Sequence, residues 1–356
     1  MMKIKPNVWA PLLVIFLLTG CETLGFYHQA AMGQWQLMRA RVSVDEYLSD
    51  PDRAPGVKAK LEAVQTMLTF AESDLGLEVG KRYSSYSELD REFVVWNVFA
   101  AEPFSVSGVE WCYPLIGCAP YRGYFSEDDA RRFAADLELQ GLQTFVGGVP
   151  AYSTLGWFND PLLSTFLSWP EPDVAALLFH ELAHSRVWLD GDVTFNESFA
   201  TAVAKIGVEA FYKAQNDADT YDDWLRRGED WREMKTMLVA LKDKLGQIYT
   251  TTKSNHEKEL ASQKTYHEFR AAYEKRREEM GNGRFDRLVN DSVNNAYLVS
   301  VGTYEDWVPS FVCLFERTPG WQDFYAQVED LAAMTEPDRV QALNECLNEE
   351  LDTSLL

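Results

Sequence analysis

Positions 180–184 read His-Glu-Leu-Ala-His, so two histidines stand four residues apart with a glutamate directly after the first. Residues four apart lie on one face of an α-helix, which lets His180 and His184 bind one metal ion together. Glu181 can then act on a water molecule that the ion activates. The chain has only five histidines, so this spacing favours a metal site over ordinary core or surface histidines. We therefore predict a helix that carries a metal centre.

A third ligand is expected on a second helix. The segment between His184 and Glu197 is long enough to end one helix, turn and begin another over about residues 196–211. Two histidines and Glu197 would give zinc three protein ligands and one open position, which is the catalytic arrangement. Asp190 and Asp192 are rival ligands in the turn. Glu197 could instead be an acid that favours the start of a helix.

This ligand set predicts hydrolysis of peptide bonds by water. Zinc lowers the pKa of water, and Glu181 would accept the proton and pass it to the leaving amine. Tyr304 is the predicted donor to the oxyanion and Tyr297 is a second candidate, although either could be an ordinary packed tyrosine. Asp173 is predicted to cap the start of the metal helix.

The N-terminus is predicted to be a lipoprotein signal peptide over residues 1–20. Two lysines precede an apolar segment, residues 8–18, that is too short for a stop-transfer helix. Residues 18–21, Leu-Thr-Gly-Cys, resemble the lipobox of bacterial lipoproteins, which implies cleavage before Cys21 and lipid attachment there. An uncleaved anchor and an ordinary signal peptide are the alternatives. Glu22 stands where aspartate would resemble an inner-membrane retention signal, which favours a periplasm-facing position on the outer membrane.

The composition is that of a globular protein. Hydrophobic residues make up 46% of the 356 residues, and the formal net charge is -22. Such a chain is a poor candidate for binding nucleic acid. We expect a monomer in which residues 21–356 form one zinc metallopeptidase domain, with residues 212–290 as a helical insertion or lid that is rich in mixed charge.

Four cysteines besides Cys21 are available for disulfides in an oxidising compartment. Cys112 and Cys118 enclose a short turn, which favours their pairing, and Cys313 with Cys346 follows by elimination. Three pairings are formally possible, and free buried thiols are a further alternative.

The pattern of elements predicts an α+β fold that is mostly helical. Apolar residues at steps of three and four indicate a helix over residues 57–75, and Ser126 is expected to cap another helix that ends near Leu139. Residues 93–99 and 143–149 favour strands of a small sheet. The aromatic, turn-rich stretch before the metal helix could hold a substrate backbone, and its predicted substrate-binding residues are Tyr152, Ser153 and Thr154.

The motif and its surroundings resemble the gluzincins, and more closely a bacterial putative aminopeptidase family of lipoprotein-like zinc peptidases. The resemblance runs from Cys21 to about residue 315 and implies a zincin-like core, zinc and peptide hydrolysis. Thr201 stands where many gluzincins have an acid that orients a ligand, and the Gly-x-Met-Glu-Asn motif of the large aminopeptidase families is absent. The segments that carry the resemblance are residues 121–125, 151–158, 180–184, 195–201, 294–296 and 303–304.

Two other functions are compatible with the same residues. A non-hydrolytic envelope protein could hold a structural zinc and bind a partner through residues 212–290. A cell-wall peptide amidase or endopeptidase would keep the zinc chemistry and change the substrate. The envelope protein with a structural zinc would not hydrolyse peptides. The cell-wall enzyme would differ from an aminopeptidase in its substrate.

Overall fold

The computed structural model describes residues 25–113, 117–151, 159–252, 254–302 and 307–353. The predicted signal peptide and Cys21 lie outside these residues, as do Tyr152, Ser153, Thr154 and Tyr304. The helices are residues 25–39 (α1), Val44–Ser49 (α2), Pro55–Ser73 (α3), Glu127–Leu139 (α4), Ser164–Leu167 (α5), Glu171–Ala183 (α6), Val193–Ala214 (α7), Ala218–Thr251 (α8), Asn255–Arg276 (α9), Asn295–Ser300 (α10), Val308–Glu316 (α11), Trp321–Ala333 (α12) and Glu336–Thr353 (α13), with a π-helical turn at Leu288–Ser292.

The strands form three small sheets among the described residues. They are Arg41–Ser43 (β1), Ser85–Ser87 (β2), Val95–Ala101 (β3), Trp111–Tyr113 (β4), Gly117–Ala119 (β5), Arg122–Tyr124 (β6), Gln143–Val149 (β7) and Leu162–Leu163 (β8). β2 lies between β1 and β8, antiparallel to the first and parallel to the second. β3 lies between β6 and β7 and is antiparallel to both, and β4 and β5 form a hairpin. The prediction of a mostly helical α+β fold with small sheets is confirmed.

The main hydrophobic core surrounds α6 and α7. Both helices pack against α3, and α7 also packs against the C-terminal helices α11 and α12. Gly207 marks the close approach of α7 to α6, since a Cβ there would lie 2.9 Å from the ring of Phe179. Larger residues at this position would force the two helices apart, so the glycine favours the tight packing that positions the site.

The long helices α8 and α9 form the predicted hairpin, which is confirmed. They enclose a second hydrophobic cluster with α10, into which Leu238, Leu241 and Leu245 point. Asn295 lies fully buried in this cluster, where its side chain accepts from the hydroxyls of Tyr249 and Tyr266. No described helix is long and apolar enough to cross a bilayer.

Of the two predicted helix caps, the one at Ser126 is confirmed and the one at Asp173 is wrong. Ser126 caps α4, because its hydroxyl accepts from the backbone N–H of Asp129. The prediction that Asp173 caps the metal helix is wrong. α6 begins two residues earlier, after Pro170, and the Asp173 carboxylate accepts from the Trp224 indole N–H on α8 at 2.9 Å. Asp173 therefore lies inside the first turn of α6, and its side chain contacts α8 instead of capping α6.

Candidate metal centre

The predicted metal-binding residues lie at the junction of α6 and α7. His180 is in the last turn of α6, and His184 directly follows that helix with helical backbone angles. Glu197 lies in the second turn of α7. The two helices pack closely, and the apolar residues around the ligands, among them Leu182 and Phe199, are fully buried. The packing of α7 against α6 therefore brings Glu197 to the two histidines at the end of α6.

The three donor groups converge on one point. The Nε2 atoms of His180 and His184 are 3.1 Å apart. One carboxylate oxygen of Glu197 lies 3.2 Å from Nε2 of His180, and the other lies 3.6 Å from Nε2 of His184. Among the described residues, this is the group of histidines and acids that could hold a metal ion.

The spacing of these donors fits a tetrahedral ion. Ligand bonds of about 2.0–2.1 Å place neighbouring donor atoms about 3.3 Å apart around zinc. The three observed distances lie close to that value. Two imidazoles and one carboxylate are also a donor set that zinc accepts. The residues therefore fit the predicted zinc, although the same set would suit other divalent ions.

Electrostatics favour a cation at this point. Burial, helped by the nearby His180, lowers the pKa of His184 to about 4, so this imidazole is neutral at pH 7. Burial acts to raise the pKa of Glu197, but the hydrogen bond from His180 and the two imidazoles outweigh it, and the net shift is downward. A neutral imidazole and an ionised carboxylate are the forms that bind metal.

The site is partly open to solvent. The side chain of His184 is 7% exposed, whereas those of His180 and Glu197 are 21% and 34% exposed. Three protein donors leave a fourth position on a tetrahedral ion. Structural zinc sites are closed by four protein ligands, whereas three donors converge among the described residues here and one side is exposed, as is typical of catalytic sites.

Contacts to the far ring nitrogens differ between the two histidines. The Thr201 hydroxyl lies 3.5 Å from Nδ1 of His180, at the outer limit of a hydrogen bond. Nδ1 of His184 is buried and has no hydrogen-bond partner among the described residues. The Thr201 hydroxyl therefore offers His180 only a weak, neutral contact.

Glu181 follows His180 on α6, and the phenol of Tyr83 lies within electrostatic reach of it. Burial, then the charges of Glu181 and Asp160, raise the pKa of Tyr83 well above its usual range. Tyr83 adopts a left-handed backbone with φ of 60°, and its N–H donates to the carbonyl of Asp160 at 2.9 Å. The sequence gives no signal for this residue, because its approach to the site depends on a distant loop.

The loop between α6 and α7 is clamped by a buried amide. The side chain of Asn196, 1% exposed, accepts from the N–H of Leu189 and donates to its carbonyl, each at 2.8 Å. This residue directly precedes Glu197 on α7. The clamp therefore fixes the start of the ligand helix relative to the end of α6. In the sequence, the position of Asn196 directly before Glu197 is the feature that points to this clamp.

The rival acids in this loop have other roles. Asp192 caps α7 by accepting from the N–H of Phe195 at 2.9 Å, and it pairs with the buried Arg339 of α13 at 2.8 Å. Asp190 accepts from the indole N–H of Trp188 at 3.0 Å. The structure brings Glu197, and neither aspartate, to the two histidines.

Trp188 is an exposed aromatic residue beside the metal ligands. Its ring meets that of His184 edge to face at 5.4 Å, and 43% of the residue is exposed. Sequence reasoning did not single out this tryptophan. It therefore places an exposed aromatic surface next to His184.

The remaining predicted residues lie elsewhere. Tyr297 packs edge-on against Phe145 at 4.8 Å in the second hydrophobic cluster, and burial raises its pKa to about 12. It is therefore an ordinary packed tyrosine.

The four cysteines form two disulfides, Cys112 with Cys118 and Cys313 with Cys346.

The fold and site define a mostly helical α+β protein in which a His-Glu-x-x-His helix and a glutamate on the next helix form a group that could hold a metal ion. Residues 25–343 match the family described as putative aminopeptidase, and because the match covers most of the chain, the protein belongs to that family. The resemblance stated from the sequence is confirmed at this level. Neither a curated protein nor a solved structure matches the chain.

Proposed function

We propose that this protein is a zinc-dependent peptidase that hydrolyses peptide bonds, and that it acts as an aminopeptidase. The observation that carries the proposal is the convergence of His180, His184 and Glu197 next to Glu181. Family membership supports peptidase activity. The aminopeptidase part rests on the family alone.

Each residue of the site has a role in this reaction. His180, His184 and Glu197 would hold the ion, which supplies Lewis acidity to a water molecule and to the scissile carbonyl. Glu181 would accept the proton from the attacking water and deliver it to the leaving nitrogen. Tyr83 would bias the position and charge of Glu181 from the buried side. Trp188 would border the substrate on the exposed side.

The test combines metal analysis with peptide hydrolysis by the purified protein. We expect about one zinc per chain and cleavage of peptides with free N-termini, but not of the same peptides after N-terminal acetylation. Cleavage of acetylated peptides alone would remove the aminopeptidase assignment and keep the peptidase one. Bound zinc without any turnover would favour the structural-zinc alternative.

The matched variants are Glu181→Gln and Glu72→Gln. Loss of the proton acceptor should lower hydrolysis by about 100- to 10,000-fold while zinc content stays the same. Glu72 lies exposed on α3, and its replacement should change neither quantity. Full turnover by Glu181→Gln would overturn the proposed mechanism.

We also propose that Cys21 is lipidated and holds the protein at the periplasmic face of the bacterial outer membrane. Residues 18–21 and the apolar segment before them support this location. Mass analysis of the N-terminal peptide, for the native chain and Cys21→Ser, tests it. An unmodified N-terminus beginning before residue 21 would exclude the anchor.

A further inference from the structure

α1 is attached firmly to the body of the protein by its inner face. Leu37 is 3% exposed in the main core, and Gly33 packs so closely against the ring of Phe125 that no space is left for a Cβ. The Gln29 amide bonds to the backbone of β6 and of Phe125, donating at 3.3 Å and accepting at 3.0 Å. The guanidinium of Arg122 lies 4.4 Å above the ring of Phe26. α1 is therefore part of the folded body, and its orientation is fixed.

The outer face of α1 exposes large apolar side chains together with His28 and Arg39. His28, Met32, Trp35 and Arg39 recur at steps of three and four, so they share one side of the helix, and all four are exposed. Met32 is 40% exposed and Trp35 is 51% exposed, and Tyr27 flanks them at 41%. Tryptophan and tyrosine are enriched where membrane proteins meet the headgroup region.

Charge distinguishes this segment from the rest of the chain. Residues 23–44 contain no aspartate or glutamate, although the chain has 55 acids and a net charge of -22. The segment contains two arginines, and the guanidinium of Arg39 lies 5.2 Å over the ring of Trp35. A strongly acidic body is repelled by an anionic bilayer, whereas this face is not. Charge therefore favours α1 as the side that approaches lipid.

The position of α1 in the chain points to the same partner. The first described residue of α1 follows position 21, the proposed lipid site, by only four positions. A fully extended chain of four residues spans at most about 14 Å. Such a link keeps the start of α1 within about 14 Å of Cys21, and so close to the surface of the bilayer that an acyl chain on Cys21 would enter.

We propose that the exposed face of α1, formed by Tyr27, Met32 and Trp35, docks on the surface of a phospholipid bilayer. Because the inner face of α1 is packed into the body, this contact would hold the whole protein in one orientation at the membrane. The contact does not depend on peptidase activity. It draws on the proposed lipid anchor only for the distance from position 21.

The experiment places a fluorophore on α1 of the full-length protein incorporated in phosphatidylglycerol-containing vesicles. The chain carries Ala31→Cys, on the exposed side of α1, or Ala135→Cys, on the exposed side of α4 as the matched control. Two disulfides occupy four of the five native cysteines, so the introduced thiol is the reactive one once Cys21 is lipidated. Vesicle-bound protein is isolated by flotation before lipids with a quencher in the headgroup region are added.

The proposal predicts several-fold stronger quenching at position 31 than at position 135. In the Ala31→Cys chain, adding Met32→Gln and Trp35→Gln should bring quenching down to the control level while peptide hydrolysis and thermal midpoint stay unchanged. Equal quenching at both positions would overturn the proposal, and so would a protein that does not float with vesicles. N-terminal mass analysis separately establishes whether Cys21 is lipidated, and hydrolysis reports the proposed function, so each failure is distinguishable.

Discussion

Two helix pairs of this protein use polar residues in opposite ways. α6 and α7, which are 13 and 22 residues long, are surrounded by core, and α7 buries residues on nearly every side. α8 and α9 are 34 and 22 residues long, and each is buried along one stripe only. Several polar residues of α6 and α7 lie at or beside the candidate metal centre, whereas most of those of α8 and α9 cover an exposed surface.

The difference shows that the meaning of a polar residue depends on its surroundings. In an apolar helix pair, a histidine or asparagine loses hydration and must find a partner. His180 and Asn196 both have such partners. In the charged pair, exposed histidines such as His256 and His267 keep their hydration and need none. Matched substitutions in the two pairs should therefore differ strongly in effect.

The largest expected contrast is between two histidines. His184→Ala should weaken zinc binding by more than about 100-fold, since changes to residues that only support a ligand already cost about 10- to 100-fold. Peptide hydrolysis should fall to background. His267→Ala on α9 should change neither. Zinc titration by equilibrium dialysis and a peptide assay measure both quantities, and equal zinc affinity in the two variants would exclude His184 as a ligand.

The second contrast is between two ion pairs. Arg339 is 7% exposed, and its replacement in Arg339→Leu removes the partner of Asp192 at the start of α7. We expect the free energy of unfolding to fall by about 2–4 kcal/mol. Lys244 and Glu268 connect α8 to α9 with both side chains about half exposed, so Lys244→Leu should cause no measurable change. Urea titration tests the pair, and similar losses in both would contradict the contrast.

The third prediction concerns pH in the metal-free protein. The pKa of His184 is about 4 in the fold, against about 6.5 for an exposed histidine. Below pH 6.5 the unfolded chain binds a proton that the folded chain does not. The stability from the neutral ring is thus complete above pH 6.5 and falls between pH 6.5 and 4, by up to about 3 kcal/mol.

Urea titrations of chelator-treated protein at pH 7 and pH 5 measure this loss. His184→Gln should lose less stability than the native chain over that interval, because its side chain does not titrate. His267→Gln, on the exposed surface of α9, should follow the native chain. Parallel curves for all three proteins would show that His184 titrates normally.

The fourth contrast is between two buried asparagines. Asn196→Ala and Asn295→Ala each leave buried hydrogen-bonding groups without a partner, so each should cost about 2 kcal/mol of stability. Only Asn196→Ala should also lower kcat/KM, by about 10-fold, because it loosens the loop that positions Glu197. Hydrolysis is measured well below each unfolding midpoint. Equal losses of activity would mean that stability alone explains both.

The smallest contrast is between two threonines. Thr201→Val should weaken zinc binding by about five-fold or less, since its contact to Nδ1 of His180 is long. Thr265 on α9 is 4% exposed and bonds to the carbonyl of Ala261, so Thr265→Val should leave zinc affinity unchanged. A loss above about 100-fold for Thr201→Val would make this hydroxyl a principal support of the ligand.

Local patterns in the sequence predicted several elements well. The stripe of leucines in α8, the cap at Ser126 and the strand at residues 143–149 all depend on neighbours within one or two turns. The cap assigned to Asp173 was wrong because α6 begins two residues earlier, and the carboxylate instead accepts from Trp224, 51 residues later in the chain. Tyr83 and Arg339 were missed because only packing between segments distant in sequence brings them to the site or its supports, whereas Trp188 lies only four residues after His184.

The sequence by itself determined that two imidazoles and a glutamate share one end of a helix, because four residues make about one helical turn. It left three acids as candidates for the third ligand. The tertiary structure decided among them. Asp192 caps α7 and binds Arg339, and Asp190 bonds to Trp188, while the packing of α7 on α6 turns Glu197 toward both histidines. Contacts distant in sequence fix that packing, and no local pattern contains them.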